Sequence, residues 1–356
     1  MTMAAGRGRA AAGDALAGDV RRAVSSGLDF LGKAQLRTGE IPILASTDPT
    51  LESGAEPDPS VFPTALAAQA LASVAGAGAI RDRALDFLVS EMDGDGLWRH
   101  WTASHPHHAQ LPPDLDDSSC ASSALAMAGR PVPPNRALLL ANRRRDGLFF
   151  TWVAPRPVWA GLAHAKVSLR RLLRLPSLIL FFRRTSAAPF DVDAVVNANC
   201  LFCLGDFASS AAVVDHLLSV LRRGDETVCD KWYDNAFVIL YFLSRALAGR
   251  APEAGPLVLA RLSGDRPANA LELALSASSL LRFGHLPSNK AVRSLVALQR
   301  ECGAWPRAAL YHGGRTRIRG GGFAPKHPDT PHWGSEALTT ALALEALSLW
   351  LDAVEA

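Results

Sequence analysis

Residues 295–305 read Leu-Val-Ala-Leu-Gln-Arg-Glu-Cys-Gly-Ala-Trp, and the spacing within this stretch decides the fold. Leu295 is followed four residues on by Gln299, four further by Gly303, and two beyond that by Trp305. Such a pattern describes a helix closed by a glycine, where positive φ carries no steric cost, and an aromatic that folds back over the helix end. The same register recurs three times upstream. Phe30-Leu31, Gln35, Gly39 and Ile41 form one copy; Phe87-Leu88, Met92, Gly96 and Trp98 a second; Leu138-Leu139, Arg143, Gly147 and Phe149 a third. Copies separated by tens of residues are the mark of a repeat architecture.

Between these blocks lie six segments poor in charge and rich in small apolar residues: 62–74, 116–129, 191–205, 234–247, 270–284 and 335–347. Helices with little charge on any face are buried all round. They therefore belong inside, with the glycine-ended helices outside them. Six such pairs close into a double ring, an all-α (α/α)6 barrel with no sheet larger than a hairpin. An open solenoid of the same hairpins is the alternative, but the sequence offers no obvious capping repeat. The barrel is expected over residues 21–356, after a flexible segment 1–20. Two inserts break the rhythm: a basic, apolar stretch near 166–186 and a Gly-rich loop near 307–333. Long loops in compact domains are usually functional or disordered.

Hydrophobic residues make up 49% of the 356-residue chain and charged residues 20%, which excludes a disordered protein. A net charge of +3, with no reader motif, gives no sign of nucleic-acid binding. Five cysteines, an odd number, argue against a disulfide framework and for a reducing compartment. The opening MTMAAGRGRAAAGDALAG lacks the apolar core of a secretory signal. The expectation is a cytoplasmic protein, peripheral at the inner membrane.

Asp114-Leu115-Asp116-Asp117 opens the second of the low-charge helices, directly after Pro112-Pro113. Acidic residues there cap free backbone N–H groups, and a cap is the bland reading of the motif. Its place at an inner-helix mouth gives a second reading. Three crowded carboxyl groups raise one another's pKa, so one stays protonated near neutrality and serves as a buried acid.

This motif, with the Gln299–Trp305 block and its degraded copies, resembles the squalene-hopene cyclase and class II terpene cyclase superfamily. The resemblance spans about Leu28 to Leu351, and the short length resembles the monodomain cyclases of bacterial meroterpenoid pathways. It implies that Asp116 donates a proton to an alkene, that Asp114 and Asp117 relay hydrogen bonds, and that the Gln–Trp-type blocks tie outer helices together. It also implies an isoprenoid or prenylated aromatic substrate. The carbocation formed needs aromatic faces, each contributing about 0.5–2 kcal/mol. Eight tryptophans against three tyrosines suit such a cavity. Trp98 and Trp305 occupy the repeat's own aromatic position. Trp152, Trp232, Tyr233 and Trp333 are the candidate cavity residues, with Asn197.

A partner that tunes Asp116 is expected among Asn197, Asn199, Tyr233, Asp234 and His332. Asp193 and Asn197 share one helix face and Asn199 lies on another, so only one asparagine looks into the lumen. Cys200 and Cys203 lack a second pair and make no zinc site. A protein-prenyltransferase-like set of Cys229, Asp230 and His312 or His332 is poorly spaced; it and a lipid-binding helical barrel are the competing functions. His105, His107 and His108 read as a polar loop. No metal site or cofactor is expected. Mg²⁺ enters only with a diphosphate substrate, for which Arg315, Arg317 and Arg319 are candidate clamps. Lys166, Arg170, Arg171, Arg174, Arg183 and Arg184 among leucines have the composition of a membrane-surface segment.

Overall fold

The low-charge segments form the inner ring. The structure, a computed structural model, describes residues 2–155, 161–318 and 322–356, with only the backbone given for residues 2–13, Ala163 and Arg171. In chain order the helices are α1 (Thr2–Ala34), α2 (Val61–Ala70), α3 (Gly78–Glu91), α4 (Leu115–Met127), α5 (Arg136–Ala141), α6 (Gly161–Leu173) and α7 (Leu175–Arg184). They continue with α8 (Ala194–Leu204), α9 (Ser210–Arg223), α10 (Ala236–Leu247), α11 (Ala254–Gly264), α12 (Ala270–Arg282), α13 (Asn289–Ala297) and α14 (Glu336–Glu355). Helix α2 packs on α4, α4 on α8, α8 on α10, α10 on α12, α12 on α14, and α14 back on α2. The ring is closed, which excludes the open solenoid. Every residue of α2, and of α10 from Phe237 to Leu247, is buried, as low charge on all faces requires.

Helices α1, α3, α5, α9, α11 and α13 form the outer layer. Helix α1 packs on both α13 and α14, so the first outer helix lies beside the last pair. The blocks do this tying through hydrogen bonds. Gln299 Nε2 donates to the carbonyls of Gly303 (2.9 Å) and of Ala23 in α1 (2.8 Å). Gln35 Nε2 does the same for Gly39 (2.8 Å) and Ile80 in α3 (2.9 Å). Trp98 and Trp305 are fully buried, and each indole N–H returns to its own helix, on Leu88 O and Leu295 O at 2.7 Å.

A second device, not read from the sequence, ties each block to the inner helix after it. A polar side chain one turn into that helix accepts the N–H of the block's last position. Thr64 Oγ1 takes Ile41 (2.9 Å), Ser118 Oγ takes Trp98 (3.1 Å), Asn197 Oδ1 takes Phe149 (2.8 Å) and Thr340 Oγ1 takes Trp305 (3.0 Å).

Three expectations need correction. Residues 2–20 of the segment expected to be flexible belong to α1: their alanines favour helix, and Leu16 and Val20, four apart, are buried. A four-stranded antiparallel sheet, larger than a hairpin, also lies at the mouth of the barrel. It runs in the order β2 (Glu56–Pro57), β1 (Leu44–Ser46), β4 (His332–Gly334), β3 (Ala309–His312). Its strands are too short to show alternation, and Ala45 pairs with Trp333 across nearly the whole chain. Part of the expected Gly-rich loop is thus β3 and β4. The basic insert is helical as α6 and α7. By length and composition α14 could cross a membrane, but it is the sixth inner helix and most of it is buried.

Candidate active site

Helices α2, α4, α8, α10 and α14 all present their N-terminal ends to one cavity of about 610 Å³. Phe62, Asp114, Asp116, Asp117, Val196, Tyr233 and Trp333 line it from these ends. Its volume falls in the range of about 300–1,000 Å³ typical of small-molecule sites. The remaining wall comes from the segments around His100, Trp152, Phe181 and Tyr311.

Asp114 is the N-cap of α4, its carboxylate accepting the N–H of Asp117 at 2.8 Å. The capping role read from the motif is therefore real, and it belongs to Asp114. Asp116, one residue into the helix, is held differently. Asn199 Nδ2 donates to its Oδ1 and the Tyr233 hydroxyl to its Oδ2, both at 2.7 Å. Burial, then the charge of Asp114, pushes the Asp116 carboxyl up to about 7, against the pull of these two donors. Burial, then the Asp114 charge, also raises the Asp117 carboxyl well above the ordinary carboxylate range. Tyr233 keeps its proton as well, raised by burial and by the neighbouring Asp116 charge. The opposition at Asp116 is chemically useful. Burial supplies a neutral acid at neutral pH, and the two hydrogen bonds stabilise the anion left behind once the proton goes.

Beneath the rim, Asp193 accepts Thr151 Oγ1 (2.6 Å), the Trp232 indole N–H (3.2 Å) and the backbone N–H of Lys231 (3.2 Å). Lys231 is itself buried, with Nζ on Asp191 Oδ1 (2.6 Å) and Ser186 O (2.7 Å). This network fixes Trp232, which stands edge-to-face with Trp152 at 5.6 Å, and Trp152 meets Phe181 at 4.9 Å. Opposite, Tyr233, Tyr311, His100 and Trp333 make a continuous aromatic wall. Tyr311 lies 6.2 Å from Tyr233 and is stacked on Trp333 at 5.2 Å. His100 sits edge-on to both Tyr311 and Trp333 and is kept neutral by burial, its pKa lowered to about 4.

Of the residues singled out in sequence, Asp114, Asp116, Asp117, Trp152, Trp232, Tyr233 and Trp333 meet in this cavity. Asn197 does not. Its amide is spent on Phe149, accepting the N–H and donating to the carbonyl, and on Asp193 O. Asn199 is the asparagine that reaches the acid. Asp234 lies apart, paired with Lys326 at 2.9 Å, and His332 packs near His312 in a separate polar recess. Phe62, His100, Trp101, Phe181 and Tyr311 were not read from the sequence; all but Phe62 and Phe181 sit outside helices.

The clamp residues are largely committed elsewhere. Arg315 lines the mouth, but donates through Nη2 to Thr227 O (2.9 Å) and Asp230 O (2.7 Å) and lies over Phe323. Arg317 stacks on the same ring, and Arg319 lies outside the described residues. The prenyltransferase-like zinc set does not assemble: the Asp230 carboxylate takes the N–H groups of Val195, Trp232 and Tyr233. Among the described residues no three His, Cys, Asp or Glu side chains group to hold a metal.

No family profile matches the chain, and no curated protein does. Solved structures do. The type II terpene cyclase MstE from Scytonema, in complex with geranylgeranyl dihydroxybenzoate, superposes with a TM-score of 0.65, covering 95% of this chain and 99% of that one at 16% identity. The same enzyme with merosterolic acid A, described as product, gives 0.64 at 15% identity, with 95% and 99% covered. A protein from Actinoplanes gives 0.58 at 20% identity, with 93% and 99% covered. The chain has the type II terpene cyclase fold. In this cyclase fold the acid-bearing cavity opens among the N-termini of the inner helices, under the sheet and α7.

Proposed function

We propose that the protein is a class II terpene cyclase that converts a linear polyprenyl or prenylated aromatic substrate into a polycyclic product. The observation that carries this reading is Asp116: a carboxyl with pKa near 7 in an aromatic-lined cavity, its two oxygens held by Asn199 and Tyr233. Asp116 gives its proton to the terminal alkene, whose π pair forms the new C–H bond and leaves a tertiary carbocation. Internal alkenes then attack in turn and close the rings, and loss of a proton from the last cation forms a new alkene. Nothing leaves, so product and substrate share one mass. The protonation itself calls for no cofactor. Mg²⁺ belongs to this scheme only with a diphosphate headgroup, and Arg315, tied to backbone carbonyls, argues for a less charged one.

The test is incubation with geranylgeranyl dihydroxybenzoate, geranylgeranyl diphosphate and squalene in D₂O. The expected product differs from an isomer of its substrate only by one deuterium in place of hydrogen at the protonated terminus, and is heavier by that difference. Diphosphate release without deuterium uptake would contradict the reading, and tight binding without turnover of any substrate would leave a lipid carrier instead.

Delivery from a lipid surface fits the same reading. Leu162, Leu169, Leu172, Leu173, Leu175, Ile179 and Leu180 of α6 and α7 are exposed, while Phe181 of α7 turns inward to the cavity. Lys166, Arg174, Arg183 and Arg184 flank them, and Arg170 pairs with Asp95 at 2.7 Å. This face is proposed to rest on anionic lipid. Binding to phosphatidylserine vesicles is expected to fall several-fold between low and 0.5 M salt, on the order of what screening of surface charge produces. The double variant Leu172→Glu/Leu173→Glu should abolish it; vesicle binding that survives this change would dismiss the membrane face.

A further inference from the structure

Asp58 lies behind the aromatic wall, just ahead of α2, and takes no part in the chemistry described so far. Its Oδ2 accepts the indole N–H of Trp101 at 3.0 Å and that of Trp333 at 2.6 Å, and its Oδ1 lies 3.1 Å from His105 Nε2. Both tryptophans line the cavity. The His105 ring stacks on Trp101 at 4.5 Å. These contacts join three segments distant in sequence: the strand end before α2, the loop after α3, and β4. One carboxylate thus sets the position of two indoles in the wall that runs, through Tyr311 and Tyr233, to Asp116.

Among the described residues the Asp58 carboxylate has no matching cation: no lysine or arginine pairs with it. His105, its one ionisable partner among the described residues, has its pKa lowered, chiefly by burial. His100, edge-on in the same wall, is neutral. A part-buried anion left without a cation is costly to the fold unless something else uses it. An indole N–H bonded to a carboxylate is polarised, which makes the ring face more negative and a better seat for positive charge.

We propose that Asp58 is a positioning residue that both holds Trp101 and Trp333 against the cavity and makes their faces selective for a positively charged occupant. This deepens the cyclase reading and rests on it: the occupant is the carbocation formed after Asp116 gives up its proton. Asp58 touches the indoles, not the substrate. It works as a fixed charge behind the wall, present before the reaction begins.

The test separates charge from shape. N,N-dimethyldecahydroquinolinium and 1,1-dimethyldecalin have nearly one shape and differ by a positive charge. Their dissociation constants are measured by quenching of tryptophan fluorescence, all in an Asp116→Asn background so that the donor's own charge does not attract the probe. With Asp58 intact, the cation is expected to bind at least tenfold tighter than the hydrocarbon. Asp58→Asn keeps an acceptor for the indoles but no charge. It is expected to lower that preference at least fivefold while hydrocarbon binding stays within twofold. Trp333→Phe, which keeps an aromatic face but unties it from Asp58, should fall between and guards against a folding defect in the first variant. A preference unchanged in both variants would overturn the proposal, as would no preference with Asp58 intact. Equal weakening of both probes would reduce Asp58 to a prop and overturn the claim about charge. Failure of the cyclase reading shows elsewhere, as absence of turnover by the wild type, and leaves the binding ratio free to decide the role of Asp58.

Discussion

Asp116→Asn is expected to fold as the parent does and to cyclise at least about 10³-fold more slowly, in line with the 10²–10⁴ usually supplied by a positioned general acid. The amide fits the site. Its oxygen accepts from Asn199, and its NH₂ donates to the Tyr233 oxygen, whose hydroxyl is free to rotate away. What is lost is the transferable proton. Stability should hold or rise. A carboxyl whose pKa goes up on folding, here from 3.8 to about 7, destabilises the native state progressively over that window and fully above it. Removing the group therefore relieves the fold at neutral pH. The same value sets the pH profile of the parent enzyme: the reactive form is the acid, so kcat/KM falls as pH rises through about 7. Asp114→Asn should cost less, since Asn is also a good N-cap. Single-turnover rates with a substrate that the parent cyclises provide the measurement, and near-normal turnover by Asp116→Asn would exclude this residue as the donor.

The sequence carried the barrel because its signals are local. Gly39, Gly96, Gly147 and Gly303 each take positive φ, and an aromatic or Ile41 follows two residues later. The glycine does not close the helix as expected but sits in the turn beyond it, five residues past Ala34 and Glu91 and six past Ala141 and Ala297. Low charge on six segments was enough to place them inside. The acidic cluster was equally legible as a place in the fold: three aspartates in four residues at an inner-helix start read as cap and cavity group, and Asp114 caps α4 while Asp116 lines the cavity. What failed to read was anything that depends on which side of a fully buried helix faces the lumen. Helix α8 is buried on all sides near its start, so its hydrophobic pattern has no phase. Asn197 and Asn199 then look alike in sequence, although one ties the outer layer and the other reaches Asp116. Tyr311, His100 and Trp101 were missed for another reason. They sit in short strands and loops whose place over the cavity is set by pairings such as Tyr311 with Trp333, which no local pattern announces.

Gly303→Ala is the substitution expected to damage the fold most for its size. Gly303 has φ of +89°, and a Cβ there would stand 2.2 Å from the carbonyl oxygen of Ser26 in α1. That oxygen is backbone in a helix and has no rotamer to escape into. Gly39 shows the same approach one pair further round the ring, 2.1 Å from Arg83 O in α3. The glycine is thus required twice over: for its backbone angle, which costs a side-chain-bearing residue on the order of 1–3 kcal/mol, and for the closeness of the next outer helix. To admit a methyl group, the turn must move away from α1. That movement strains the two bonds from Gln299 to Ala23 O and Gly303 O and the bond from Trp305 to Thr340. A loss of roughly 3 kcal/mol or more is expected, at the upper end of ordinary point substitutions. In a chain of this length it lowers the melting temperature by about 5 °C or more. The contact lies where the ring closes, between the last outer helix and the first, so proteolysis should begin within α1. Cys302→Ala, one residue earlier and exposed, serves as the control and should leave the melting temperature unchanged. Equal stability of Gly303→Ala and Cys302→Ala would mean that the close approach of these two helices does not hold the barrel shut.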